Sequence, residues 1–536
     1  MMRLALIITS LAFWHTWLPA QEDIYINEFL ASNVSVDADI VDFDDYSDWL
    51  ELYNDGDTGV DLGGYYLTDD PDRPDRWRIP EGTLIPAKGF LRLWADGYDD
   101  APGNTYWRPW PNYLDMSRPK IYFTTDYYHL NFSLSRAGEF IGLYDPDGMV
   151  VDSITFGLQL RDVSMGRQPD GGSDWFFFGE PTPGSSNITE GVTDFTISDS
   201  PGITPESGFY SGTQTADISS NLPEEWIKYT RDGTRPGSTS LSGSLPLDIS
   251  GTTVLRARIM EPGKLPGKII NRTYFIDEDI SLPVISVITP PEALWDSRKG
   301  IYENRMKSRE IPVRLQYFPE KGEPSIDIRA GLRLTGQLSL YCPQVSFTIT
   351  ARGRYGTDEI GYRIFPQREI NAFKSIYLRN AGVPDHWITH FRDAMAHTLV
   401  LNKMDIDCQA FQPAVLFLNG KYWGIYNIRE KISEDYIGLL HHLNPDDIDL
   451  LEYASGSITP EVMEGNAGNY TAFYQFFEDH DLSIGENYRY IESWMDMDEY
   501  INYQICEIYF DNTLWPNMNV RMWRERKEGA KWRWIL

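Results

Sequence analysis

The sequence predicts a multidomain protein in which two N-terminal all-β sandwiches precede an α+β domain. The chain has 536 residues, enough for three or four domains that each bury a core of their own. Aromatic residues make up 14% of it, and short runs that alternate apolar and polar residues, as half-buried strands do, lie between turn-forming sequences up to residue 277. From residue 283 onward apolar residues also recur at helical spacing, which predicts mixed structure there.

Acidic residues outnumber basic ones, and the formal net charge is −32. A surface of this charge repels nucleic acid and anionic lipid, so the sequence argues against both as partners. Solubility and calcium binding remain as alternative explanations of the charge. One acidic run in the first segment could hold Ca²⁺, or could be a solvated loop. The run comprises Asp37, Asp39, Asp42, Asp44, Asp45 and Asp48.

Residues 1–20 are predicted to be a secretory signal peptide. Arg3 supplies the positive charge at its start, and the apolar core of residues 4–18 is too short to span a bilayer comfortably. An uncleaved anchor is the alternative. No later run of about 18 apolar residues follows, which predicts a secreted or cell-surface protein without a further membrane span. Three widely spaced cysteines fit neither a disulfide framework nor a zinc site, so we expect buried thiols at Cys342, Cys408 and Cys506.

Residues 22–190 are predicted to form one β module. The chain reads INEFLASN at residues 26–33, DWLELYN at residues 48–54 and LGGYYLTD at residues 62–69. This wording resembles the lamin-tail domain. The resemblance implies an immunoglobulin-like sandwich that is used for binding or display and has no catalytic role.

Residues 200–277 are predicted to form a second, smaller β module. The chain reads YTRDGTRP at residues 229–236 and LRAR at residues 255–258. These phrases resemble the C-terminal domain type of chitobiase and hexosaminidase, which implies a fibronectin-like sandwich with an accessory role. Glycosidase activity does not follow, because likeness of fold is not a catalytic site.

Residues 283–536 are predicted to mix strands and helices. Residues 311–318 have the pattern of a strand, and one helix is expected to start at Arg392. Further helices are expected at residues 470–479 and 496–510. The apolar face of the last helix is expected to include Met497, Ile501, Ile505 and Ile508.

A series of motifs in this third segment resembles the CotH-type atypical kinases. They are GLRLTGQLS at residues 331–339, FKSIYLRNAG at residues 373–382 and YWGIYNIREK at residues 422–431. The resemblance implies a kinase that uses ATP with Mg²⁺ or Mn²⁺ to phosphorylate Ser or Thr of exported proteins. It also implies that Glu430 pairs with an ATP-holding lysine and that Asn519 binds the metal.

The chain departs from the family pattern at the two positions where the family has its catalytic aspartate and its ATP-holding lysine. Family members read Asn-x-Asp-Trp-Pro-x-Asn-Asn in the catalytic loop, whereas residues 512–519 read NTLWPNMN here. Leu514 therefore stands where the catalytic aspartate is expected, five residues before Asn519. Asp511 is the candidate substitute. Val345 likewise stands where the family's Pro-x-Lys-Ser-Phe places its lysine.

Three arginines could replace the charge of the missing lysine, although arginine is not equivalent to lysine at such a site. Arg333, Arg352 and Arg354 are these candidates, and Arg333 is the one predicted to contact the cofactor. The family's next motif carries a metal-binding aspartate and would begin near residue 536. We therefore expect that the kinase-like domain is incomplete here and that the natural protein continues.

These observations predict an exported surface or matrix protein whose CotH-like domain has lost phosphotransfer and serves to bind or scaffold exported or cell-surface proteins. An active secretory kinase that uses Asp511 is the first alternative. The second alternative is a protein that binds glycans through loop aromatics such as Trp107, Trp110 and Tyr113.

Overall fold

The fold was analysed in a computed structural model. It describes residues 23–39, 45–99, 102, 105–108, 121–124, 127–243, 246–305, 307, 309–336, 338–382, 388–453, 459–516 and 518–536. The chain divides into two compact units. Among the described residues, one unit contains residues 23–32, 48–99 and 128–191, and the other contains the remainder. The predicted signal peptide lies outside the described residues, as do Asp42 and Asp44 of the acidic run and Trp110 and Tyr113.

The first unit is a β-sandwich, as its alternating sequence predicts. Apolar residues from two sheets share one core, in which the rings of Phe29 and Phe156 lie 4.5 Å apart between centroids. The larger sheet contains, in spatial order, Tyr128–Leu130, Phe90–Ala95, Asp48–Asn54, Ile24–Leu30, Ser164–Arg167, Trp175–Phe178 and Gly191–Val192. The smaller sheet contains Val150–Phe156, Glu139–Tyr144, Tyr66–Thr68 and Trp77–Arg78, and a separate pair joins Val60–Asp61 to Leu84–Ile85.

The second unit begins with a smaller β-sandwich, which we call the small sandwich. Ile218, Leu255 and Tyr274 are buried in the core between its sheets. One sheet contains Gly202–Thr204, Gln214–Ser219 and Leu247–Ile249. The other contains Gly208–Tyr210, Ile270–Ile276, Thr253–Ile259, Ile227–Thr230 and Leu241–Ser242.

A closed seven-stranded barrel follows the small sandwich. Alternate residues of its strands, such as Leu332, Phe347 and Ile376, fill the barrel core. The strands, in order around the barrel, are Val284–Ile288, Glu310–Phe318, Ile326–Thr335, Ser346–Thr350, Ser375–Arg379, Lys421–Glu430 and Phe411–Leu418.

In the part of this unit that the structure describes, helices and a further sheet accompany the barrel strands. The helices predicted at Arg392, at residues 470–479 and at residues 496–510 are confirmed. The helices are α1 (Pro291–Trp295), α2 (Arg392–Val400), α3 (Glu434–His441), α4 (Gly468–Asp479), α5 (Gly485–Trp494) and α6 (Met497–Tyr509). The sheet contains Glu461–Glu464, Ile448–Tyr453, Val520–Glu525 and Arg533–Ile535. Short strand pairs join Ile360–Gly361 to Ala372–Phe373 and Thr105–Arg108 to Ile121–Thr124.

The predicted apolar face of α6 is confirmed at Met497, which packs against the core, and wrong at the three isoleucines. Ile501, Ile505 and Ile508 are 49%, 51% and 68% exposed. The buried side of the helix instead carries two carboxylates, because each has a local donor. Glu499 accepts hydrogen bonds from the backbone N–H of Trp534 at 3.0 and 3.2 Å, and Glu507 accepts one from the Asn512 side chain at 2.7 Å.

The small sandwich and the barrel share an aromatic cluster. The ring of Phe275 lies 5.1 Å from that of Phe318 and 5.0 Å from that of Phe417, in edge-to-face contact. Beside it, the buried Thr273 hydroxyl donates to Gln316 Oε1 at 2.6 Å. The segment between Ile276 and Val284 therefore joins parts that are packed together.

The cysteines are as predicted, since Cys342, Cys408 and Cys506 are free and buried. Among the helices that the structure describes, none combines the length and the apolar character that a membrane span requires.

Candidate functional site

The loop that the sequence predicts as the counterpart of a kinase catalytic loop, residues 512–519, is attached to the end of α6. The Asn512 side chain donates to Glu507 Oε2 at 2.7 Å, and its backbone N–H donates to the Glu507 carbonyl at 3.1 Å. The Asn512 Oδ1 atom in turn accepts the backbone N–H of Leu514 at 3.2 Å. The side chain of Leu514 is 47% exposed, so the surroundings do not require an apolar residue there.

Asp511 lies just beyond α6 in a left-handed backbone conformation, with φ of 52°. Its backbone carbonyl accepts from the Arg392 guanidinium at 3.3 Å, whereas its carboxylate is exposed. That carboxylate makes no hydrogen bond or ion pair with any residue that the structure describes. It is therefore available to solvent or to a ligand.

Asn519 enters the strand Val520–Glu525, and its backbone N–H donates to the Tyr453 carbonyl at 2.9 Å. Its side chain is exposed. Asn519 and Asp511 both offer the oxygen ligands that Mg²⁺ prefers. Among the described residues, no cluster of three or more His, Cys, Asp or Glu side chains that could hold a metal ion includes Asp511.

Val345 lies in the barrel core and is fully buried. Its carbonyl accepts the Tyr426 hydroxyl at 2.9 Å, and apolar residues surround its side chain. A lysine ammonium at this position would lose its hydration, which disfavours the charged form. The barrel therefore fits the valine that the sequence supplies and does not fit an ATP-holding cation.

Glu430 is almost fully buried and pairs with an arginine. Its Oε2 atom accepts the backbone N–H of Ala410 at 2.7 Å and lies 3.4 Å from the Arg368 guanidinium. Burial raises the pKa of Glu430 above its ordinary value, although Arg368 and the Ala410 amide oppose the rise. Sequence reasoning could not identify Arg368 as the partner, because it and Glu430 are 62 positions apart.

Strand register places Glu430 away from position 345. Glu430 lies opposite Ile376, and Ile376 lies opposite Ile349 on the strand that Val345 precedes. Ile349 is four residues beyond Val345, which is roughly 13 Å along a strand. The cation that this structure gives to Glu430 is Arg368.

A second group of charges connects the first turn of α2 to the barrel, and its carboxylate is 26% exposed. Asp393 Oδ2 lies 2.6 Å from Arg379 and 3.4 Å from Arg429, which is fully buried. Burial would raise the pKa of Asp393, but the charges of these two arginines outweigh it and hold the pKa below its ordinary value. Burial also lowers the pKa of His397 well below its ordinary value, and its Nδ1 accepts the Gln409 backbone N–H at 3.0 Å.

Models of three known protein families match separate parts of the chain. Residues 332–536 match the family model described as CotH kinase protein. The C-terminal domain is CotH-like. Residues 18–157 match the Lamin Tail Domain, and residues 205–271 match the Chitobiase/beta-hexosaminidase C-terminal domain. The three predicted resemblances are confirmed, and no curated protein matches the chain.

Arg333, the predicted cofactor residue of the CotH-like domain, lies on a barrel strand opposite Thr348. The other two candidate arginines are engaged elsewhere, because Arg352 and Arg354 both bind Glu310, at 3.0 and 2.8 Å. Arg333 is half-buried and makes no ion pair with a residue that the structure describes.

Beside Glu430 the CotH-like domain has a small pocket. Its volume is about 20 Å³, which holds one water molecule and no nucleotide. Glu430 and Lys431 line it, and the Lys374–Asp435 ion pair of 3.1 Å lies at its edge. Lys431 is a residue that the sequence did not single out.

Proposed function

We propose that this chain is an exported multidomain surface or matrix protein whose CotH-like domain binds a ligand or partner without transferring phosphate. The observation that carries the proposal is the pair Val345 and Leu514. Each stands where the resemblance places a residue that phosphoryl transfer needs, and Val345 fits the apolar barrel core around it. In this proposal the barrel and the helices that follow it correspond to the two parts of a kinase-like arrangement.

The chemistry explains why these two positions matter. A leucine side chain can neither accept the proton of an attacking hydroxyl nor orient it, and a general base contributes typically 10²–10⁴-fold to rate. A valine cannot neutralise the phosphates of ATP. The two losses affect different parts of the reaction, so one substitution at either position leaves the other defect in place.

The test is incubation of the purified protein with labelled ATP and Mg²⁺ or Mn²⁺. We expect no metal-dependent incorporation of phosphate into the protein or into exported substrate proteins. We also expect no phosphate incorporation by Leu514→Asp. This exposed position accepts an aspartate, but Val345 still supplies no charge to hold the phosphates of ATP. Robust incorporation of phosphate by the unaltered protein would overturn the proposal. Activity gained by Leu514→Asp alone would show that the loss of the aspartate at this one position explains the inactivity.

An active secretory kinase is the second candidate, and the exposed carboxylate of Asp511 favours it. If Asp511 were the base, Asp511→Asn would lower the rate by about 10²-fold or more while leaving the fold intact, because this side chain supports no described contact. Comparison of phosphate incorporation by the two proteins is the measurement. Activity that survives the change would exclude Asp511 as the base, and Asp498→Asn, at an exposed acid on α6, is the matched control.

Export rests on residues 1–20. We expect that a reporter fused behind residues 1–25 is released from cells and that residues 1–20 are absent from the released protein. A reporter that stays in the cytoplasm would contradict it.

A further inference from the structure

Two rows of large apolar side chains are exposed on α2 and α6 of the CotH-like domain. In each row the residues recur every three or four positions, so each row follows one face of its helix. Every one of these side chains is between 46% and 68% exposed. The apolar rows, as we call them, are Phe391 at the N-cap of α2 with Met395 and Leu399, and Ile501, Ile505 and Ile508 on α6.

The two helices lie side by side and run in opposite directions. At the start of α2, the Arg392 guanidinium donates to the carbonyl of Asp511, just after α6, at 3.3 Å. Beyond the end of α2, the Asp405 carbonyl accepts from the Asn502 side chain, in the first half of α6, at 3.0 Å. Both contacts involve a residue next to the first member of a row, so the two rows flank one line of contact. Because α6 has 13 residues, the surface is about 20 Å long.

The exposure of the α6 row follows from what this helix buries. A helix of a globular protein ordinarily turns its apolar side to the core, but α6 buries Glu499 and Glu507, which have local hydrogen-bond donors. Single exposed apolar residues are common, whereas contiguous ones mark places where another molecule binds. The apolar rows therefore form a candidate docking surface.

The charge at one end of this surface indicates the chemistry of the partner. The Asp511 carboxylate is exposed and makes no ion pair with a described residue. The net charge of −32 repels anionic membranes and acidic proteins, and it favours a basic partner. Two helices side by side leave a groove between them, and a third helix can place apolar residues in such a groove at intervals of three or four positions.

We propose that the apolar rows bind an amphipathic helix of a partner protein, whose apolar side packs on the rows and whose basic residues face Asp511. This proposal rests on the binding role proposed for the CotH-like domain and names the chemistry of the partner. Burial of apolar surface supplies most of the affinity, and the opposite charges orient the helix and speed its association.

The test is titration of the full chain, without ATP or metal, with a fluorescent model peptide of leucine and lysine. The peptide is about 18 residues long, or five helical turns, with its leucines at helical spacing. We expect saturable binding of one peptide per chain. A scrambled peptide of the same composition has no apolar face, and a leucine–glutamate peptide of the same spacing has no positive charge. Each should bind about tenfold more weakly or worse.

Substitutions locate the binding surface. Ile505→Lys and Met395→Lys are each expected to weaken binding of the leucine–lysine peptide about tenfold or more, because each places a charge among the apolar contacts. Asp511→Asn should weaken it about threefold, and mainly at low salt, because this ion pair would be exposed. Ile484→Lys, at an equally exposed isoleucine before α5, is the matched control and should bind the peptide like the unaltered protein.

Equal affinity for the scrambled peptide, or unchanged binding by Ile505→Lys, would overturn the proposal. Sedimentation velocity tests a second copy of the chain as the occupant. We expect a monomer, and a dimer that Ile505→Lys dissociates would also overturn the proposal. Failure of peptide binding would leave the ATP test unaffected, because no nucleotide is present, so this inference and the loss of phosphotransfer are tested separately.

Discussion

Asp393→Ala is expected to lower the free energy of unfolding of the CotH-like domain by about 3–5 kcal/mol, because it leaves the fully buried Arg429 without its anion. Arg379 also contacts this carboxylate, but it is 45% exposed and can turn to water. The cost therefore arises from Arg429. Its neighbour Gln409 accepts one of its hydrogen bonds at 3.2 Å and cannot neutralise the charge.

The measurement is urea unfolding, followed through the hydrogen exchange of amides in the strand Lys421–Glu430. The double variant Asp393→Ala with Arg429→Met should recover much of the loss, because it buries no unpaired charge. Asp405→Ala is the matched control, since Asp405 is 64% exposed and its ion pair with Arg533 is of the surface kind, worth about 0–1 kcal/mol. Equal losses for Asp393→Ala and Asp405→Ala would contradict the expectation.

The first sandwich is expected to lose stability as the pH rises, because it buries two glutamates close together. Glu28 and Glu51 are fully buried, and they accept the backbone N–H groups of Thr182 and Gly184. Burial raises the pKa of Glu28 from 4.5 to about 7 and that of Glu51 from 4.5 to about 9, and Glu28 adds to the shift of Glu51. Groups whose pKa is raised by folding stabilise the fold fully below the unfolded pKa of 4.5 and lose that contribution as the pH rises through 7 and 9.

Glu51→Gln tests this expectation, since it keeps the shape of the side chain and cannot ionise. While Glu51 titrates, stability falls by up to about 1.4 kcal/mol per pH unit, so between pH 6 and pH 9 the variant should gain about 4 kcal/mol relative to the unaltered protein. Urea unfolding at the two pH values, read by pulse proteolysis and mass spectrometry of peptides from Ile24–Leu30 and Asp48–Asn54, reports on this sandwich alone. Glu81→Gln, at an exposed acid, should show no such gain, and the expectation fails if Glu51→Gln shows none either.

Much of the fold was predictable from local patterns. The strands at residues 24–30 and 48–54 follow from alternation, and α2, α4 and α6 follow from helical spacing. The buried face of α6 was not, because spacing alone cannot show that Glu499 and Glu507 find backbone and side-chain donors. Where such donors exist, a helix can bury its polar side and leave Ile505 in water.

The candidate site was predictable from the sequence only where the identity of one residue is enough to show a departure from the family pattern. The replacements at Val345 and Leu514 are visible in the sequence, and the structure adds that the barrel core accommodates the first. Arg368 carried no sequence signal, because its significance lies in its ion pair with Glu430, which is 62 positions away along the chain. Such relations link residues that are distant along the chain.

The edge-to-face contact of Phe275 with Phe318 and Phe417 determines how a mechanical load would pass between the small sandwich and the barrel. A pull on the chain ahead of the small sandwich reaches the barrel through these rings and through the Thr273–Gln316 hydrogen bond. Tension is thus shared by a broad apolar seam, and the few residues of the connecting peptide do not bear it alone. A load applied to the small sandwich is therefore transmitted to the barrel through side-chain packing as well as through the backbone.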